Sequence, residues 1–538
     1  MKSLIHILVL GTFFLSLSSF AQTKLFYHPV KTDSQGDLLP WYDDDLAKSY
    51  SHVIDLVWNF WDTMKVDLNG LPYYMNHQVW RSDFNDPRGL GGDQLQMAMS
   101  SWQWLYAYSG NERVKQNMKF LADYYLSHGL SPANCKWPNI PFPYNTLIYS
   151  GTFDGDMVIG QGFLQPDKAG SMGLELVHLY KMAMKDSPYF SNSGRYLQSA
   201  IQIARTLAAH LVKGDENNSP LPFKVNAFTG EVGASLMNPP GGPTKASYTT
   251  NWGATMDLFL SLEKLDPSKA SLYEKSFQVL LTWMKKYPLN NNKWGPFFED
   301  VAGWSDTQIN AVTFARFMME HPQYFPQWQS QVPGIFEWVY ATLKNDKWSK
   351  FGVVAINEQS VYPVPGESHM ARQGATELLY CALSGDESRK GSALRQLNWA
   401  TYTVDNDGKN VFPSDENWLT DGYGDYVKHY LWAMAAYPEL APGDADHILS
   451  STSVIQQADY KGNVNKFLIP EVIPERADAV RLYYRTFDNE GTELIRMAKK
   501  PTAVLLGEIP LPIQWQPLAQ GGVLKVIRSS GTEVTIFQ

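Results

Sequence analysis

Cysteine is almost absent from this chain: Cys135 and Cys381 are the only two in 538 residues. Two thiols so far apart define no disulfide framework, and no Cys-His set has the spacing of a zinc site. Cys381 lies in the apolar run Leu378-Leu379-Tyr380-Cys381-Ala382-Leu383, which reads as a buried, inert thiol. Charge is also sparse, at 18%, and leans acidic: 45 Lys and Arg against 54 Asp and Glu leave a formal net charge of −9. With no clustered basic stripe, that balance argues against a nucleic-acid partner. Beyond the first residues no apolar run approaches about 18, so no membrane span is expected. A Walker loop, a dinucleotide fingerprint, a His-Glu-x-x-His helix and a Gly-x-Ser-x-Gly elbow are all missing. No cofactor or metal site is expected. The acidic turns Asp154-Gly155-Asp156 and Asp405-Asn406-Asp407-Gly408 leave open only a structural cation.

Aromatic rings are abundant instead, at 14% of the chain, with 18 Trp, 29 Tyr and 26 Phe. They can fill a large core or serve as flat platforms for sugar rings. At the N-terminus, Lys2, the apolar stretch Leu4 to Leu15 and the small-x-small Ser19-Phe20-Ala21 form the pattern of a cleavable signal peptide over residues 1–21. No cysteine follows the cut to carry a lipid. The expected location is secreted or periplasmic.

Helical periodicity runs from about residue 45 to 438. It predicts helices near 46–65, 93–109, 111–127, 167–185, 193–213, 249–264, 269–286, 304–320, 328–345, 367–384, 386–402 and 421–437. Short links with turn chemistry, such as Ser109-Gly110-Asn111-Glu112 and Ser384-Gly385-Asp386-Glu387, alternate with long ones. Antiparallel hairpins put all short turns on one face and all long loops on the other. Six such pairs close into a double ring, so the fold class expected is mainly α, an (α/α)6 toroid over residues 22–440. After 440, Arg481-Leu482-Tyr483-Tyr484-Arg485-Thr486-Phe487 and Val523-Leu524-Lys525-Val526-Ile527 read as strands of a small antiparallel β domain over 441–538.

Loops carried on a rigid scaffold are where function concentrates, and the helix N-termini of one ring favour anionic ligands. His369 and Arg372, three apart at the start of one inner helix, offer a base and a carboxylate-binding fork. Tyr423 and Tyr426 share a face of another, with His429 deeper in it. Asp306 and Asn310 are i,i+4 on a third. The first long loop carries Asn76, His77 and Arg81, and Tyr144, Asn251, Trp252 and Trp304 add rings and amides to the same bowl. Lys168 and Arg88 would make it basic if they converge with Arg81 and Arg372.

With Asn, His, Arg and Tyr on inner-helix starts and a β domain behind, the chain resembles the toroid polysaccharide lyases of polysaccharide-degrading bacteria. The resemblance implies an acidic poly- or oligosaccharide as substrate, cleaved by β-elimination. Arg372 and Asn310 (or Asn76) would neutralise the uronate carboxylate, with His369 and Tyr423 as base and acid. A water-eliminating dehydratase would use the same site. The alternatives are a glycoside hydrolase, using Asp306 with Asp421, Asp425 or Glu367, and a non-catalytic glycan-binding protein.

Overall fold

The computed structural model describes residues 23–75, 94–147, 150–156, 158–183, 190, 192–234, 245–298, 304–411, 424–460 and 479–538. Residues 1–21, expected from the sequence to be a signal peptide, lie outside them, as do Asn76, His77, Arg81, Arg88, Asp421 and Tyr423.

Helices dominate up to residue 436. They are α1 Leu46–Asp62, α2 Gln94–Ser109, α3 Glu112–His128, α4 Pro166–Met182, α5 Gly194–His210, α6 Gly253–Leu265 and α7 Ala270–Lys286, then the single turn α8 Pro288–Asn291. After it come α9 Gln308–Glu320, α10 Trp328–Leu343, α11 Glu367–Ser384, α12 Lys390–Thr401 and α13 Tyr426–Ala436. The chain is an (α/α)6 toroid. Helices α2, α4, α6, α9, α11 and α13 each pack on the next, and α13 returns to α2 to close the inner ring.

The two rings differ in how their residues are used. Outer α7 buries one stripe, Tyr273, Phe277, Leu280, Leu281 and Met284, at the spacing of a one-sided amphipathic helix. Inner α4 is buried almost all round, including Asp167, Lys168 and Glu175. Small residues let the inner helices crowd the axis: a Cβ on Gly170 would sit 1.9 Å from the Thr255 hydroxyl of α6. Two outer helices, α1 and α3, begin with side-chain caps. Asp45 accepts from Ala47 N at 3.0 Å and Asn111 from Arg113 N at 3.0 Å.

The predicted helices match in number and order, but three inner ones start late. Thr249 to Trp252, Trp304 to Thr307 and the residues before Tyr426 are not helical where described. The first stretch is held out of the helix by cross-loop bonds, Thr250 Oγ1 donating to Trp294 O at 2.6 Å. The second pairs in strand fashion, Thr307 opposite Gln359.

Behind the toroid lie two antiparallel sheets. Their strands are β1 His447–Ser451, β2 Ile455–Tyr460, β3 Val480–Thr486, β4 Gly491–Met497, β5 Ala503–Leu506, β6 Ile509–Pro510, β7 Gln514–Pro517, β8 Gly522–Arg528 and β9 Glu533–Phe537. One sheet runs β2-β3-β9-β5-β6 and the other β7-β8-β4-β1. Strands β1 and β2 seat on α2. His447 stacks on Tyr108 at 3.9 Å, and Lys115 Nζ donates to Gln456 O at 2.6 Å. Gly110 is required at this junction: its φ is +63°, and a Cβ would lie 2.4 Å from Ala458 O. Both cysteines are free, and burial pushes the Cys381 thiol up to about 11. No helix among the described residues is long and apolar enough to cross a membrane.

Candidate functional site

An axial cavity of about 330 Å³ opens among the inner helices. Its wall is a polar stripe at helical spacing on helices otherwise buried: Gln96 and Ser100 on α2, Ser171, Glu175 and His178 on α4, Thr313, Arg316 and Glu320 on α9. Arg372, Lys428 and Trp432 complete it with Asp425, the residue before α13, and Phe297, Phe317 and Trp104 supply apolar surface.

Asp425 organises the upper wall. Its Oδ2 accepts from Ser368 Oγ and His429 Nε2, both at 2.9 Å, and pairs with the Arg372 guanidinium, while Oδ1 pairs with the Lys428 ammonium. Burial alone would raise this carboxyl, but Lys428, His429 and Arg372 outweigh it and hold it well below the usual range. Burial also lowers His429 to about 3, so its ring is neutral near pH 7. Two cations therefore face one carboxylate, and Lys428 Nζ donates outward to Ser100 Oγ at 2.7 Å.

Ser368, His429 and Asp425 are the residue types of a nucleophilic triad but not its geometry. The same His429 Nε2 meets both Ser368 Oγ, at 3.3 Å, and Asp425. A relay needs opposite ring nitrogens for base and orienter.

A chain of amides runs outward from Arg372. Its Nη1 donates to Gln308 Oε1 at 3.2 Å, Gln308 Nε2 to Gln373 Oε1 at 3.1 Å, and Gln373 Nε2 to Glu377 Oε1 at 2.6 Å. His369 lies one turn before Arg372, 3% exposed and 5.7 Å from the Phe298 ring centroid. Burial, reinforced by Arg372, keeps it well below its ordinary pKa, and neither ring nitrogen has a hydrogen-bond partner among the described residues.

Deeper in the cavity three ion pairs ring the wall. His178 Nδ1 meets Glu175 Oε2 at 3.1 Å, His321 Nε2 meets Asp257 Oδ1 at 2.8 Å, and Arg316 Nη2 meets Glu320 Oε1 at 2.8 Å. Burial pulls His321 down, but the Asp257 carboxylate more than compensates and raises it. Among the described residues no group of three His, Cys, Asp or Glu is placed to hold a metal ion.

Of the residues singled out in the sequence, Arg372, Asp425 and Asn251 line the cavity, Asn251 Nδ2 donating to Asp167 Oδ2 at 2.9 Å. Lys168 is buried beside it, its ammonium paired with Asp167 at 3.0 Å and 3.5 Å from the Phe297 ring centroid. Others are spent on structure. Asn310 Nδ2 reaches the carbonyls of Trp294, Gly295 and Pro296 at 3.1–3.2 Å. Asp306 does not cap its own helix: it accepts from Trp294 N and Gly295 N, each at 2.8 Å, pinning the neighbouring loop. Trp252 is fully buried with Nε1 on Thr249 O, Tyr426 donates to Ala400 O, and Tyr144 is buried with its backbone paired to Gly155. Trp304 is 40% exposed, its indole held by Asp306 Oδ2 at 2.9 Å and packed on Tyr248. Arg316, the Glu175–His178 pair, Trp432 and the role of Lys428 were missed. The signal for them was there, a polar residue every third or fourth position on helices too apolar to face water.

No family model matches the chain, and no curated protein matches it in sequence. Solved structures do match in fold. A D-mannose isomerase aligns with a TM-score of 0.51 and 10% identity, over 74% of this chain and 99% of that one. A sugar epimerase from a ruminal bacterium aligns with a TM-score of 0.51 and 12% identity, over 72% and 98%. At such identities the likeness is one of fold, the helical double ring.

Proposed function

We propose that this protein is a secreted or periplasmic carbohydrate-active enzyme that draws an acidic saccharide into the axial cavity and cleaves it by β-elimination. One observation carries the reading: Arg372 and Lys428 oppose the single carboxylate of Asp425, leaving one positive charge in excess within that cluster, at its end of the cavity. In a low-dielectric cavity of an otherwise acidic chain, that excess selects a ligand carboxylate.

The chemistry follows from the charge. A proton on the carbon beside a carboxylate becomes abstractable only when the negative charge developing there is stabilised. Arg372 and Lys428 supply that stabilisation, with Arg372 held in place by Asp425 and the amide chain. Neutral His369, next to Arg372 on α11 though not itself on the cavity wall, is the base assigned to the C5 proton. The electron pair of the broken C–H bond forms the C4=C5 double bond as the C4–O bond breaks, and Tyr423 gives its proton to the departing oxygen.

A second reading has its own support. His178, on the cavity wall with Nδ1 held by Glu175, has the arrangement of an oriented base for moving a proton at C2 of a free sugar. Isomerisation or epimerisation would fit the names of two of the matching structures.

Incubation with uronate-containing and neutral polysaccharides separates these readings. Rising ultraviolet absorbance from a carboxylate-conjugated double bond supports elimination. New reducing ends without it would mean hydrolysis, and solvent deuterium appearing at C2 of a free sugar would mean isomerisation. His369→Ala and Tyr423→Phe should abolish elimination with the fold intact; wild-type rates in both would refute their roles.

A further inference from the structure

Arg316 stands apart from the Asp425 cluster. It lies eight residues into α9, about 12 Å along the axis, whereas Lys428 is only about 3 Å into α13. Its side chain is buried, at 7% exposure, yet lines the cavity. The guanidinium stacks on Trp432, 3.6 Å from the ring centroid, and Nη2 is anchored by Glu320. Nε and Nη1 meet no acceptor among the described residues. Burial already lowers its pKa, the mark of a guanidinium short of compensation. A cation held flat by an indole, tied at one corner and unpaired at the others, is preorganised for a planar anion.

We propose that Arg316 forms a second anionic subsite, deeper than the first, which binds the carboxylate of an acidic sugar unit stacked beside Trp432. This rests on the acidic-saccharide part of the reading above but not on elimination. Two carboxylate-reading positions at different depths would make the enzyme select glycans with acidic units close together. Glu320 is then a competitor: it occupies one corner of the fork that a ligand would take, and its removal should strengthen binding.

Calorimetric titration of the full chain with D-glucuronate, and with D-glucose as the neutral control, tests this. Wild type should prefer glucuronate. Arg316→Gln and Arg316→Lys should weaken glucuronate binding by about tenfold or more, the worth of a charge-assisted hydrogen bond, without affecting glucose. Glu320→Gln, at a position 43% exposed and keeping an amide oxygen for Arg316, should tighten it severalfold in the folded protein. Unchanged glucuronate affinity in Glu320→Gln and in folded Arg316→Gln would overturn the proposal, as would no preference in wild type. If no polysaccharide yields a conjugated double bond but these shifts appear, the subsite stands and the elimination falls. If elimination occurs and the shifts do not, the reverse holds.

Discussion

Two of the buried ionic clusters among the described residues are built to opposite rules. In the sheets, Arg528 grips Glu493 with two parallel bonds, Nε to Oε2 at 3.0 Å and Nη2 to Oε1 at 2.8 Å, both side chains fully buried. Tyr484 and Ser451 cap the carboxylate at 3.0 Å each, and Arg528 Nη1 finds two backbone carbonyls at 2.7 and 2.8 Å. Charge balances one to one. Around Asp425 two cations share one carboxylate and the surplus faces a cavity. A closed, neutral cluster fixes two sheets against each other. An open, unbalanced one invites a ligand.

Breaking the closed cluster should do the most to stability. Arg528→Met strands the Glu493 charge in the core and should cost about 3–5 kcal/mol, seen as a lower denaturation midpoint, with activity per folded molecule unchanged. Lys428→Met should invert that pattern. Asp425 keeps Arg372, so the melting temperature should fall little, while kcat/KM on an acidic glycan drops about 100-fold, as when one transition-state donor is lost. Acid should act more gently and on both regions. His429 and His447 titrate at about 3 and about 4 in the folded chain, because burial disfavours their charged forms. The unfolded chain binds their protons at about 6.5. Each therefore contributes stability that is complete above about pH 6.5 and declines below it, toward its folded value, by about 1.4 kcal/mol per pH unit. Calorimetry from pH 7 to 4 should follow this slope, and His447→Gln should flatten it. Smallest is Trp304→Ala, expected to raise KM on long oligosaccharides severalfold without changing stability.

The helical ring was legible because its punctuation is local. Gly385 after α11 and Asn111 before α3 end and begin helices by their own chemistry. The late starts of α6 and α9 were not, since Thr250 and Asp306 act through loops distant in sequence. At the site, the spacing of His369 and Arg372 placed them correctly on one helix. It could not tell that Phe298 would pack beside the imidazole or that Asp425 would claim the guanidinium. Arg316 and Glu320, i,i+4 on α9, share that polar spacing, but only closure of the ring turns their face onto a cavity.

Closure has a cost in time. Gly424 seats against Ala98, where a Cβ would lie 2.7 Å from the alanine's own. Beside this seam Tyr50 donates to Asn398 Oδ1 at 2.7 Å, and Asn398 Nδ2 donates to Leu38 O at 2.8 Å. These partners are more than 300 residues apart, so the arc must be nearly complete before its two ends can meet. Folding of such a chain is governed by its latest-synthesised helices, and until they arrive the apolar inner wall lies open to neighbouring chains.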